Sequence, residues 1–94
     1  MKVYKDDIGT KIKLDAGCNI ATATVWKILY SKPGKTRVEG GWVAIPEETN
    51  YIYYITIAGD LNVAGKWHIQ LYIESPNWKG YGEIVDLEVC DNLD

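Results

Sequence analysis

No stretch of this sequence stays apolar long enough to cross a bilayer as a helix, which takes about 20 residues. The opening run Met1-Lys2-Val3-Tyr4-Lys5-Asp6-Asp7 lacks the apolar core of a secretory signal. The chain is therefore expected to be made in the cytoplasm and to reach the outside by a route needing no signal, such as lysis. Basic residues are scarce too: 10 Lys and Arg stand against 13 Asp and Glu, for a net charge of -3. Without a basic stripe to neutralise phosphates, nucleic acid is not an expected partner. The same deficit argues against a basic helix lying on a membrane surface.

Metal-binding and catalytic patterns are equally thin. His68 is the only histidine, and Cys18 and Cys90 are the only cysteines, with no CxxC. They form no metal-ligand set, and the two thiols read first as free in a reducing compartment. No metal or cofactor is expected. Ser31 and Ser75 have no Gly-x-Ser-x-Gly context. Gly40-Gly41 and Gly80-x-Gly82 open no helix, so neither reads as a phosphate loop. Asp6-Asp7 and Asp91 with Asp94 read as solvated chain ends rather than a calcium site. His68 lies on the polar face of its run with no nucleophile near it by motif, so it reads as a surface residue. No catalytic residues are expected, and the chain reads as a non-enzyme.

What the sequence does hold is alternation. "KWHIQLYIE" puts Trp67, Ile69, Leu71 and Ile73 on one face and Lys66, His68, Gln70, Tyr72 and Glu74 on the other. A register slip of one residue would bury charge, so the inner face is set. "EIVDLEV" places Val85, Leu87 and Val89 inward, and "TKIKLD" places Ile12 and Leu14 inward. "ATATVWKILY" directs Trp26, Ile28 and Tyr30 to one side. "YIYYITIA" is apolar on both faces, so alternation does not choose between Tyr51/Tyr53/Ile55/Ile57 and Ile52/Tyr54/Thr56. "TRVEGGWVAI" supplies one or two strands, with Gly40-Gly41 read as a bulge or tight turn. Turn clusters separate these runs: "DAGCN", "SKPGK", "PEETN", "GDLNVAG" and "SPNWKGYG". About seven strands at this spacing predict a single all-β domain over residues 1–94, an antiparallel β-sandwich of immunoglobulin-like size. No repeat, linker or low-complexity segment interrupts it.

Within "VAGKWHI", Gly65, Trp67 and Ile69 stand where immunoglobulin-type strands carry a small residue, an aromatic and a cysteine. Isoleucine replaces that cysteine, which removes the usual inter-sheet disulfide and leaves Trp26 as a candidate to fill the space. "SPNWKGYG" raises a different question, because turns favour Gly, Pro, Asn, Asp and Ser. Trp78 and Tyr81 either close one end of the sandwich or form a contact patch at a hairpin tip. Trp42 and the tyrosines could extend such a patch. Exposed aromatic rings serve a protein partner or a sugar equally well.

Several short patterns together resemble the immunoglobulin-like domain of tailed-phage structural proteins, best known from the N-terminal domain of siphophage upper baseplate proteins. They are Gly9-Thr10, Gly17, Ile20-Ala21 with Ala23-Thr24, and the Trp26/Ile28/Tyr30 strand followed by Lys32-Pro33-Gly34. Further on come Tyr54, Gly59-Asp60-Leu61, Gly65-Lys66-Trp67 and the Val85/Leu87/Val89 strand. The likeness covers most of residues 8–90, and its motifs are turns and core positions. The Asp usual after Pro in the Lys-Pro-Asp-Gly turn is absent. Upper baseplate proteins continue into long C-terminal regions, whereas this sequence stops at Asp94. The resemblance therefore implies an accessory virion protein, on the capsid surface or the tail, docking onto other virion proteins as a symmetric homo-oligomer. A carbohydrate-binding module that holds the particle to cell-surface glycans is the alternative. In such sandwiches the first strand runs beside the last. Cys18 and Cys90 would then reach the same pole, as neighbouring thiols that a disulfide could join.

Overall fold

The computed structural model describes residues 2–34 and 38–91. Residues 35–37 of the Lys-Pro-Gly turn and its following run, and Asp94, lie outside them. Among the described residues all regular structure is β: β1 (Lys2–Tyr4), β2 (Lys11–Asp15), β3 (Val25–Ser31), β4 (Gly40–Val43), β5 (Ile45–Glu47), β6 (Tyr51–Ile55), β7 (Gly65–Ser75) and β8 (Trp78–Cys90). These eight strands form two sheets, in the orders β1-β8-β7-β3-β4 and β2-β6-β5, packed as a sandwich. Among the described residues no helix is long and apolar enough to cross a membrane.

The β-branched and aromatic content of each run suits a pleated, half-buried surface, and alternation decides which half is buried. In β7, Trp67, Ile69, Leu71 and Ile73 are all buried, and their partners on β3 and β8 continue the same face. Leu87 and Val89 are buried on β8, with Val85 packed against the core. Ile12 and Leu14 fill the inner face of β2, the edge of the smaller sheet. The ambiguous β6 turns Ile52 and Tyr54 inward, with Thr56 just beyond it. Their polar atoms are satisfied. The Tyr54 hydroxyl donates to Asp60 Oδ2 at 2.6 Å, and Thr56 Oγ1 accepts from Thr10 N at 3.0 Å. Buried polar groups with partners cost little, so this face can go in while Ile55 and Ile57 stay out.

Three features differ from the sequence expectation. Gly40 and Gly41 form neither bulge nor turn; they lie within β4, paired with Tyr30 and Leu29. A Cβ on Gly40 would sit 2.6 Å from the Tyr30 hydroxyl, so glycine is what lets that ring lie across the strand. After Ala44 the chain leaves the larger sheet and joins the smaller one as β5. The indole that joins Trp67 in the core is Trp42 rather than Trp26. Trp42 stacks on Tyr30 (4.7 Å between centroids) and Tyr54 (5.0 Å) and lies 6.2 Å from Trp67. Trp26 pairs opposite Ile73 toward the far end and is only partly buried. Lastly, β1 is an added strand that runs parallel beside β8, Lys2 opposite Glu88 and Tyr4 opposite Cys90.

Candidate functional site

Ser75 pairs with Trp78, so the β7–β8 hairpin turns on Pro76 and Asn77 alone. Trp78, Lys79, Gly80, Tyr81 and Gly82 belong to β8 and not to a turn. Trp78 and Tyr81, three positions apart in a regular ladder, therefore point to opposite faces. Tyr81 pairs with Tyr72 on the outer face of the larger sheet, their ring centroids 5.1 Å apart. Trp78 lies on the face that Ile73 and Gly80 share. A Cβ on Gly80 would fall 2.1 Å from its ring, so the indole lies over the glycine. Gly80 thus makes room for Trp78 instead of loosening the turn. At 49% exposed, Trp78 is neither a sealed lid nor a free anchor.

The aromatic patch anticipated from sequence is therefore not assembled. Trp42 is 6% exposed and belongs to the core, because alternation along β4 sets it inward opposite Ile28. Of the three expected contact residues, Tyr81 lies on the outer face, Trp78 caps the inner face, and Trp42 offers no surface.

The outer face of the larger sheet carries a different patch. Val43, Lys27, Tyr72 and Tyr81 form one row across four strands, and Gly41, Leu29, Gln70 and Ile84 the next. Val43 is 74% exposed, and Tyr81 and Ile84 are each 66% exposed. Burial is the main influence raising the Tyr72 pKa, followed by its hydrogen bond to Glu74. Charges bound the patch: Lys79 lies 3.5 Å from Glu74 at one end, and Lys66 lies 3.9 Å from Asp86 at the other. The patch thus mixes exposed apolar and aromatic side chains with Lys27 and Gln70 inside a self-compensated charged rim, a composition that suits a non-obligate protein contact. Sequence reading missed it because its members come from four strands spread along the chain.

The smaller sheet presents a more polar surface. Glu47 is held by Lys11 (3.1 Å) and Lys13 (3.0 Å), and these ammonium groups lie over the Tyr53 and Tyr51 rings at 4.5 and 4.3 Å. The Lys13 bond, then the Lys11 bond, lowers the Glu47 pKa. The cations are already paired, which leaves little there for a charged ligand.

His68 is exposed, and its Nδ1 lies 2.9 Å from Asp86 Oδ1 across the ladder. On its other side it pairs with Ser31. An acyl-transfer centre would also need the serine hydroxyl held by the imidazole and donors for an oxyanion. Strand pairing between Ser31 and His68 is not by itself such a constellation, and the row carries no catalytic assignment. No group of three or more His, Cys, Asp or Glu able to hold a metal occurs among the described residues. Asp7 Oδ2 instead accepts from Tyr4 N and the Thr10 hydroxyl, closing the β1–β2 loop.

The cysteines do not meet. Cys90 ends β8, where its carbonyl accepts from Lys5 N at 2.8 Å; Asp6 N next door bonds to Leu61. Cys18 follows β2 just after Gly17, which lines one groove with Glu83. Glu83 and Cys90 are separated by roughly 20 Å of strand at about 3.3 Å per residue. The thiols are free and lie toward opposite poles, so the expected proximity and disulfide both fail. The strand that does lie beside β8 is β1, not the one leading to Cys18. Compared with known proteins, the chain matches no family model, no curated protein and no solved structure.

Proposed function

We propose that the chain is an immunoglobulin-like, non-enzymatic docking module of a tailed-phage particle, binding other virion proteins through the outer face of its larger sheet. The immunoglobulin type is supported by strand order. With β2 to β8 taken as B, C, C′, D, E, F and G, the sheets read B-E-D and C′-C-F-G, with β1 beside G. It is supported also by Trp67, whose Nε1 donates to the Val63 carbonyl at 2.9 Å, four residues upstream. That bond occupies the place of the tyrosine corner. The phage assignment rests on the resemblance of turn and core motifs set out above. The observation that carries docking is the exposed Val43–Tyr81–Ile84 patch within its charged rim.

Particles purified from the source lysate should contain the chain at a fixed ratio to the major capsid protein; its absence from them would refute the virion role. The double variant Val43→Lys/Tyr81→Lys should drop out of the particle with its melting temperature unchanged. Sugar binding is the second reading, favoured by the half-open Trp78 indole and the tilted Tyr72–Tyr81 pair. A glycan array tests it: specific binding lost in Trp78→Ala would put it first.

A further inference from the structure

One seam of the sandwich is open. β1 covers β8 only from Glu88 to Cys90. Among the described residues, β8 from Trp78 to Ile84 has β7 on one side and no strand on the other. The Cys90 carbonyl faces β1. Backbone groups alternate sides along a strand, so Glu88, Asp86 and Ile84 present theirs to this same edge. Facing it is the free edge of β2. Between the edges runs an open groove of about 680 Å³, lined by Leu14, Asp15 and Ala16 on one wall and Leu71, Glu83 and Val85 on the other.

We propose that this seam accepts an extended segment of a partner protein as an added strand, with alternate apolar residues entering the groove and basic residues beside them. Apolar side chains on one face of such a segment would cover Leu14, Leu71 and Val85. The charged groove residues are both acidic, Asp15 and Glu83. Nearby lysines do not offset them, since Lys13 and Lys79 are held by Glu47 and Glu74. Main-chain bonds give such strand addition its affinity, and alternate side chains give it specificity.

The same edge disfavours a second copy of this chain. Gly82 and Glu83 together oppose Leu71, a bulge in the β7–β8 ladder. Bulges twist an edge away from flat edge-to-edge pairing. A second copy would also set Glu83 and Asp15 against like charges. The seam adjoins the outer-face patch, since Tyr81 also lines the groove and the Ile84 side chain belongs to that patch, but strand addition uses the Ile84 backbone and the groove side chains.

Selection from a random library of twelve-residue peptides, displayed against the whole chain, tests the proposal. Ile84→Pro serves as counter-selection, because proline removes the edge N–H at an exposed side chain. Enriched peptides should alternate apolar residues with Lys or Arg. They should lose at least tenfold in affinity on Ile84→Pro and on Glu83→Lys. Val43→Lys, on the outer face of β4, should leave their binding unchanged. Slowed hydrogen exchange at the Ile84 amide in the wild-type complex provides a readout independent of whether the proline variant folds. The proposal fails if nothing is enriched over the variant, if acidic peptides win, or if the Ile84 amide is not protected. It fails equally if sedimentation shows a dimer that Ile84→Pro abolishes, since the occupant is then a second copy.

Discussion

Replacing Trp42 by alanine separates a core residue from a contact residue. Its ring stacks on Tyr30 and Tyr54, the latter nearly parallel at 4°, with Trp67 beyond. Truncating a buried aromatic costs about 3–5 kcal/mol. Two stacked neighbours, each worth about 0.5–1.5 kcal/mol beyond area, place Trp42 in the upper part of that range, at about 4–5 kcal/mol. Domains are stable by only about 5–15 kcal/mol in total, so Trp42→Ala should be marginally folded at best. Trp42→Phe keeps an apolar ring between the tyrosines and should lose roughly 1–2 kcal/mol. Urea denaturation followed by far-ultraviolet circular dichroism measures both, with the slope against urea checked for two-state behaviour. A Trp42→Ala protein that loses less than about 1 kcal/mol and fails only in binding would refute the burial of this indole and the inward register of β4.

Tyr54 offers a test by alkaline titration. Burial first, then the hydrogen bond to Asp60, pushes its pKa up to about 12, whereas the unfolded side chain ionises near 10. The unfolded state loses this proton first, so the contribution to stability is complete below about pH 10 and disappears between about 10 and 12. Absorbance at 295 nm should show tyrosine ionisation near pH 12, and Tyr54→Phe should abolish that step. For Glu47 the sign is opposite: its lowered pKa adds stability above the ordinary carboxylate range that is lost as pH falls, and Glu47→Gln should flatten the acid limb of a melting-temperature profile. Both cysteines should react with a thiol reagent in the folded protein, and mild oxidation should give disulfide-linked dimers instead of an internal bridge; a monomeric disulfide would contradict their placement. Gly80→Ala should swing the Trp78 indole off the strand, raising its quenching by acrylamide with a stability change under about 1 kcal/mol; unchanged quenching would contradict the close approach.

Alternation was enough to orient β2, β3, β7 and β8, because each has one face that water must keep. On β7 a single-residue slip would bury Lys66 and Glu74 in place of Trp67 and Ile73, which fixes the register. The turn at Pro76-Asn77 was visible in the same way, though its width was not: Gly80 and Gly82 look like turn residues, and only the ring of Trp78 above Gly80 explains a glycine within a strand. Where both faces are apolar, tertiary structure decided. Ile52 and Tyr54 go inward on β6 because Asp60 is placed to bond the Tyr54 hydroxyl, and Thr10 and Asp7 to bond Thr56. Trp42 reaches the core because Gly40 admits Tyr30 beside it, a contact between strands that no local pattern records. β1 is three residues long and pairs with the opposite end of the chain, so nothing near it in sequence marks it as a strand. The open seam beside Glu83 is likewise a property of which edges remain uncovered. That depends on where β1 stops along β8, a length set by packing at one pole and not by any motif.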